Sequence, residues 1–356
     1  MIGSGRSDVH VTITGLGSYA PERVITNDEL SRMVETSDEW IMERTGIRER
    51  RIAAESQALS DLSLPAARQA LEQAGSDGTD VDLLIVATVT PDMMFPSTSA
   101  ILADLLGAKD AAAYDLSAGC TGFMYAVAQA YGMVAAGLSR RALVVGGDVL
   151  SRILDWTDRS TVVLFGDGAG AVVLEPADEA GFLAFELGAD GAGGRHLWLP
   201  GSGSRRFDDP DRYVKMNGRE VFKFATRVLV QSAEDVLGRY GASIEDVDVY
   251  VPHQANVRII DHATKKLGIP SDRVVINVDR YGNTSSGSIP LALADAQADG
   301  RLSPGSLVLM TGMGAGLTWG SALLRWTHRL EAPAAKPATP GQETRPPTPA
   351  AGDGTA

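Results

Sequence analysis

The sequence predicts an α/β fold built from two similar halves, and three observations carry that prediction. Short Val/Ile/Leu-rich runs alternate with segments of helical period. The runs Leu83-Leu-Ile-Val-Ala-Thr88, Leu143-Val-Val145 and Val247-Asp-Val-Tyr-Val251 are short and largely apolar, as in sheets covered on both faces. Finally, three phrases recur. Asp80-Val-Asp82 returns as Asp246-Val-Asp248, Tyr114-Asp115 as Val278-Asp279, and Val144-Val-Gly-Gly147 as Leu309-Met-Thr-Gly312, at offsets of 166, 164 and 165 residues. Common order and spacing indicate duplication, with halves at residues 10–178 and 179–328.

Composition narrows the function. The chain has 356 residues, 44% hydrophobic and 22% charged, which is globular. Its net charge of −13 disfavours nonspecific binding to nucleic acid or anionic membranes, so an anionic partner needs a local basic patch. Apolar stretches are too short to span a bilayer, and the N-terminus lacks the order of a signal peptide. A soluble, cytoplasmic protein is expected. Residues 331–356 hold six of the 17 prolines and no aromatic residue, and are expected to be a disordered tail.

In a duplicated α/β core, chemistry gathers where strand C-ends meet helix N-ends. Cys120 is the single cysteine and opens the apolar segment Phe123–Val134. A helix N-terminus favours thiolate, so its thiol is expected below the usual value of about 8.5, with Gly119 and Gly122 leaving room for a substrate. His253, in Val251-Pro-His-Gln-Ala-Asn256, directly follows a strand and is the partner expected for a nucleophile. Asn283, in Arg280-Tyr-Gly-Asn-Thr-Ser-Ser-Gly287, is the second half's counterpart of the Cys120 turn and is able to donate to an oxyanion without titrating. Gly312-Met-Gly-Ala-Gly316 follows the last strand, where small residues let backbone N–H groups face a ligand.

Other features serve binding. Phe165-Gly-Asp-Gly-Ala-Gly-Ala171 imitates a dinucleotide fingerprint, but a strand follows instead of a helix, so it is read as a turn. Basic stripes run along Arg219, Lys223 and Arg227, and along Arg258, Lys265 and Lys266. They are solvated faces or a landing site for an acidic carrier or phosphorylated cofactor. Thr36–Arg44 begins a capped helix with Trp40 and Arg44 on one face, suited to a base and a phosphate.

Several of these segments together make the chain resemble β-ketoacyl-acyl-carrier-protein synthase III, the initiating condensing enzyme of type II fatty-acid synthesis, over about residues 8 to 328. They are Ser37–Arg48, Asp155–Thr161, Phe165–Gly170, Val251–Asn256, Tyr281–Ser285 and Leu317–Ser321. The resemblance implies the thiolase-like five-layered αβαβα fold, a homodimer, and a triad of Cys120, His253 and Asn283. It implies that Trp40 and Arg159 sandwich the CoA adenine with Arg44 nearby, and that Arg219 and Asn256 lie on the CoA path. Arg258, Lys265 and Lys266, with Lys223, would receive the carrier protein. Phe95, with Met93 and Met94, would shape an acyl pocket across the dimer. Where many relatives carry three glycines this chain has Gly314-Ala315-Gly316, and Met313 replaces an aromatic. The N–H of Ala315 would still complete an oxyanion hole with that of Cys120.

The implied reaction acylates Cys120 from acyl-CoA and then condenses the acyl group, with loss of CO2, onto malonyl-carrier protein. CoA thioester is a substrate here, and no metal, nicotinamide or flavin is called for. A single cysteine argues against degradative thiolases, which use two, and Asn283 against elongating synthases, which use two histidines. Two alternatives stay open: a secondary-metabolism relative with an unusual starter or transfer to oxygen or nitrogen, and an inactive acyl-CoA or carrier-protein binding partner.

Overall fold

In the computed structural model, which describes residues 9–327, the apolar runs become two sheets. The expected tail at 331–356 lies outside the described residues. The first sheet holds β1 (His10–Tyr19), β2 (Leu83–Ala87), β3 (Ala112–Leu116), β4 (Ala142–Asp148) and β5 (Gly168–Ala177), in the order β1-β5-β4-β2-β3. The second holds β6 (Phe182–Ala189), β7 (Val249–Pro252), β8 (Leu307–Gly314) and β9 (Thr318–Arg325), in the order β7-β8-β9-β6. Both contain the same pattern. A parallel pair, β2 with β4 and β7 with β8, continues through two antiparallel strands, β5 and β1 or β9 and β6. The matched strands begin at Leu83 and Val249 and at Ala142 and Leu307, close to the spacing of the repeated phrases. Where the second sheet would carry a counterpart of β3 there is one parallel bridge, Tyr250 to Val274.

The helices of eight or more residues are α1 (Asp38–Thr45), α2 (Leu59–Gln73), α3 (Thr98–Leu106), α4 (Gly122–Ala135), α5 (Gly218–Tyr240), α6 (Val257–Leu267) and α7 (Ser288–Ala298). Side-chain alternation along the strands sorts them into layers. Leu83, Ile85 and Ala87 of β2 face a central core with Phe123 and Val127 of α4 and Ile289 and Leu293 of α7. Leu84 and Val86 face outward onto Leu62 and Ala66 of α2. On β8, Val308 and Met310 join the central core, while Leu309 packs against Val236 of α5 and Ile260 of α6. The result is five layers, with α2 and α3, a sheet, α4 and α7, a sheet, and α5 and α6. Burial of strands on both faces is why they read as nearly unbroken apolar runs. No helix among the described residues is long and apolar enough to cross a membrane.

Local chemistry sets the ends that matter. The Ser37 hydroxyl caps α1 by accepting from the Trp40 N–H at 3.2 Å, with Asp38 and Glu39 in the first turn and Arg44 in the last. The turn expected at 165–171 is absent: Phe165 makes a parallel bridge to Asn283, and after Gly166 and Asp167 the chain runs straight into β5, so a strand and no helix follows the glycines.

The two halves are joined at Asp148, the last residue of β4. Its fully buried carboxylate accepts from the Thr88 hydroxyl (2.8 Å), the Val89 N–H (2.8 Å) and the Thr90 N–H and hydroxyl (3.1 and 2.9 Å). Ser286, from the second half, seats its hydroxyl between the Ala87 carbonyl (2.7 Å) and this carboxylate (3.0 Å). Gly146 permits the approach, because a Cβ there would lie 2.4 Å from the Ser286 carbonyl oxygen. Asp148→Ala would leave several buried donors unpaired at about 1–3 kcal/mol each. Stability is therefore expected to fall by at least about 3 kcal/mol, read as a lower urea midpoint at unchanged slope. A midpoint equal to wild type would show that the seam is held elsewhere.

Candidate active site

Beyond β3 the chain turns through Gly119–Thr121 in one 3-10 turn that runs on into α4, with Cys120 at its centre. Gly119 has φ of +58°, and a Cβ there would meet the Ala315 carbonyl oxygen at 2.8 Å and its nitrogen at 2.9 Å. A Cβ on Gly314 would lie 2.6 Å from the Cys120 nitrogen. The Cys120 turn and the end of β8 thus touch backbone to backbone. This contact aims the N–H groups of Cys120 and Ala315 at the sulfur, and the Ser285 hydroxyl reaches it as well. Ser285 takes a left-handed φ of 53°, uncommon for a residue with a Cβ.

The sulfur is not the resting thiolate that a helix N-terminus suggests. Cys120 is only 7% exposed, and burial pushes its thiol up to about 11. The Ser285 hydroxyl and the two N–H groups oppose the rise, the Asp148 charge adds to it, and burial wins.

His253 follows β7, its N–H donating to the Thr311 carbonyl at 2.7 Å. Its ring is buried, which pushes it down to about 4, so it is neutral at physiological pH. Nδ1 lies 2.5 Å from the Ser288 hydroxyl, which also accepts from the Gln254 N–H at 3.3 Å. Donor and acceptor in this pair follow the tautomer: where the Ser288 hydroxyl donates to Nδ1, the ring proton sits on Nε2. Asn283 is held through its own backbone, donating to the Leu164 carbonyl at 2.8 Å and accepting from the Gly166 N–H at 3.0 Å. Its Oδ1 accepts from the Ser285 N–H at 2.9 Å, which leaves the amide NH2 as the free side of the group.

Cys120, His253 and Asn283 line one chamber of 130 Å³, walled further by Met216, Phe222, Ile259 and Met313. A second chamber, of 150 Å³, opens from the other side of Cys120, with Leu150, Ile153, Leu197 and Val214 in its wall. Cys120, Phe165 and Leu197 belong to both. The structure therefore brings the three residues together, and places the sulfur where two chambers meet.

The other expected residues fall into place unequally. The Arg159 guanidinium sits on the Trp40 ring at 4.8 Å and that of Arg44 at 5.8 Å, while Arg159 also donates to the Glu35 carbonyl. A base sandwiched between Trp40 and Arg159 needs about 7 Å, two contact distances of about 3.5 Å. The sandwich is closed. Asn256 lines the first chamber, but its side chain is engaged: Oδ1 caps α6 and Nδ2 donates to the Arg44 carbonyl at 2.9 Å. Arg219 is exposed on the first turn of α5 and does not line the chamber, whereas Gly218 and Met216 do. Arg258 stacks over Phe222 at 5.7 Å, Lys223 is paired with Glu220 at 2.8 Å, and Lys265 and Lys266 are exposed in the last turn of α6. Met93, Met94 and Phe95 do not wall either chamber of their own chain. They are 49%, 70% and 85% exposed, on the loop after β2.

Sequence reasoning missed Ser285, Ser288 and the walls of the second chamber. A left-handed serine beside the Cys120 counterpart is visible only in backbone angles, and Ser288 and the leucines meet their targets only through the fold.

Comparison with known proteins adds an independent line. The family model for 3-oxoacyl-[acyl-carrier-protein] synthase III matches residues 114–191, and the model for its C-terminal part matches residues 237–326. β-Ketoacyl-[acyl-carrier-protein] synthase III of Desulfitobacterium hafniense is 51% identical over 328 residues, covering 90% of this chain and 99% of the relative. That of Symbiobacterium thermophilum is 54% identical over 323 residues, covering 89% and 98%. The crystal structure of the Thermus thermophilus synthase III superposes with a TM-score of 0.85 at 49% identity, covering 88% of this chain and 99% of that one.

A thiol held near 11 is almost wholly protonated at neutral pH, and its thiolate fraction grows about tenfold per pH unit. Alkylation of Cys120 by iodoacetamide, followed by intact mass, should accelerate steadily from pH 6.5 to 9.5. A plateau below pH 8 would mean the thiol is depressed instead.

Proposed function

The chain belongs to the β-ketoacyl-acyl-carrier-protein synthase III family of condensing acyltransferases, and on that premise we propose how its residues divide the reaction. The observation that supports the division is that Cys120, His253 and Asn283 line one chamber while the Ala315 backbone abuts the Cys120 turn. This reading assigns one pair of N–H donors to the backbone of Cys120 and Ala315 and a second to the Nε2–H of His253 and the amide of Asn283.

In the first half-reaction, Cys120 Sγ attacks the thioester carbon of acyl-CoA. The bond from that carbon to the CoA sulfur breaks, and CoA leaves as the thiol, taking up in net terms the proton that Cys120 gives up. The tetrahedral oxyanion accepts from the Cys120 and Ala315 N–H groups. In the second, the malonyl thioester of the carrier protein occupies the 130 Å³ chamber, and its carbonyl oxygen accepts from His253 and Asn283. Cleavage of the carbon–carboxylate bond releases CO2 and leaves its electron pair as an enolate, stabilised by those two donors. The enolate carbon attacks the acyl-enzyme carbonyl, the bond to Cys120 Sγ breaks, and β-ketoacyl-carrier protein departs while the sulfur regains a proton from solvent. Neutral His253 suits this role as a donor that carries no charge of its own, and Ser288 is the positioning residue that keeps the proton on Nε2.

Binding follows the chamber outward. The CoA base would rest on Trp40 after Arg159 swings off its face, with Arg44 toward a phosphate. Arg258 with Lys223, and Lys265 and Lys266 about two turns further along α6, give an otherwise acidic chain a basic landing for the carrier. A homodimer would cover the exposed Met93-Met94-Phe95 loop by lodging it against a second copy, at the outer end of that copy's 150 Å³ chamber.

Incubation with butyryl-CoA should add one acyl mass to the wild type and none to Cys120→Ala, and malonyl-carrier protein should then convert the adduct to a β-ketoacyl-carrier product. His253→Ala and Asn283→Ala should each slow the second step by about 10²–10³ while acylation stays within about threefold. Equal loss in both half-reactions would overturn the division, and an ester or amide product would replace condensation by transfer to oxygen or nitrogen.

A further inference from the structure

We infer that Gln254 is the positioning residue that sets His253 and Asn283 against each other, so that both act on one enolate oxygen. The inference rests on the reading of those two residues as a donor pair. Gln254 is 1% exposed and lines neither chamber. Its side-chain amide makes all four hydrogen bonds open to it. Nε2 donates to the Pro252 carbonyl at 2.8 Å and to the Val275 carbonyl at 3.0 Å. Oε1 accepts from the N–H groups of Asn277 at 2.9 Å and Val278 at 3.3 Å. Two carbonyls at one end and two N–H groups at the other fix which end is nitrogen.

These bonds bear on both members of the pair. The Pro252 carbonyl belongs to the peptide unit that precedes His253, and the N–H of that unit is held by the Thr311 carbonyl at 2.7 Å. The unit is clamped from both sides. The Gln254 N–H reaches the Ser288 hydroxyl, which is the neighbour of the imidazole. On the other side, Oε1 caps the short helix Val278–Tyr281, where the Asn277 side chain makes no capping bond. That helix closes at Gly282, with φ of +65°, and delivers the chain to Asn283. Glutamine is the residue this place requires. A carboxylate would turn an oxygen toward two carbonyl oxygens, asparagine is a methylene shorter, and an apolar side chain would leave four buried backbone groups unpaired. None of the four bonds reaches Cys120 or Ala315, the donors assigned to acylation.

The test compares Gln254→Glu, which keeps the shape and the two accepted bonds, with Gln254→Leu, which removes all four. Misplacing a reacting group by about 1 Å costs about 10²-fold. Condensation of the butyryl-enzyme with malonyl-carrier protein should therefore slow about tenfold in Gln254→Glu and about 10²-fold in Gln254→Leu, with acylation from butyryl-CoA within about threefold. With one donor gone, alignment of the pair no longer counts, so in an Asn283→Ala background the tenfold effect of Gln254→Glu should shrink below about threefold. Wild-type condensation in Gln254→Glu, equal loss in both half-reactions, or the full tenfold repeated beside Asn283→Ala would overturn the inference. The donor pair itself then still stands if His253→Ala and Asn283→Ala slow condensation alone. Should those two variants lose acylation equally, the pair falls and the inference with it.

Discussion

Direct contact between two stretches of backbone, the Cys120 turn of one half and the end of β8 in the other, is the constraint on which the site depends. Side chains cannot intervene, because Gly119 and Gly314 have none and the space a Cβ would need is already taken by Ala315 and Cys120. From that contact come both N–H groups that point at the sulfur. The Asp148 seam a few residues away works in the same manner, with Gly146 admitting Ser286 so that a carboxylate of the first half and a hydroxyl of the second share one network. Duplication supplies the geometry: the ends of β3, β7 and β8 and the turn at Asn283 converge, and each contributes a different functional group.

The same closeness explains the state of the groups. Packing that brings backbone to the sulfur also removes water, so the thiol rises and the imidazole falls until both are neutral at rest. A site of this kind has its donors in place before any charge exists. In the proposed mechanism the acyl carbonyl oxygen takes up charge beside the Cys120 and Ala315 N–H groups in both half-reactions, and the enolate oxygen takes it up beside His253 and Asn283 in the second.

How much of this was legible in the chain alone can be argued from particular residues. The sheets were legible because strands buried on both faces must be apolar throughout, and duplication because Asp80-Val-Asp82 and Asp246-Val-Asp248 precede matching strands. Cys120, His253 and Asn283 were legible as positions, since each follows a strand or its counterpart. Their protonation was not. The helix N-terminus at Cys120 is a local feature read from neighbours in sequence, whereas its burial comes from residues near 285 and 315 that only the fold brings near. The chamber wall drew on Leu150, Leu197 and Val214, segments whose leucines and valines look like any core residue. Trp40 and Arg159 were identifiable through the family resemblance, but not that they stack on each other.

The central claim is that one sulfur faces two chambers and that separate donor pairs serve the two half-reactions. A crystal structure of the butyryl-enzyme tests it most directly. The account places the butyryl carbonyl oxygen within hydrogen-bonding distance of the Cys120 and Ala315 nitrogens, with the tail among Leu197, Ile153 and Val214 and the His253–Asn283 side of the chamber left open. A carbonyl oxygen resting instead on His253 and Asn283, or a tail lying in the 130 Å³ chamber, would contradict it.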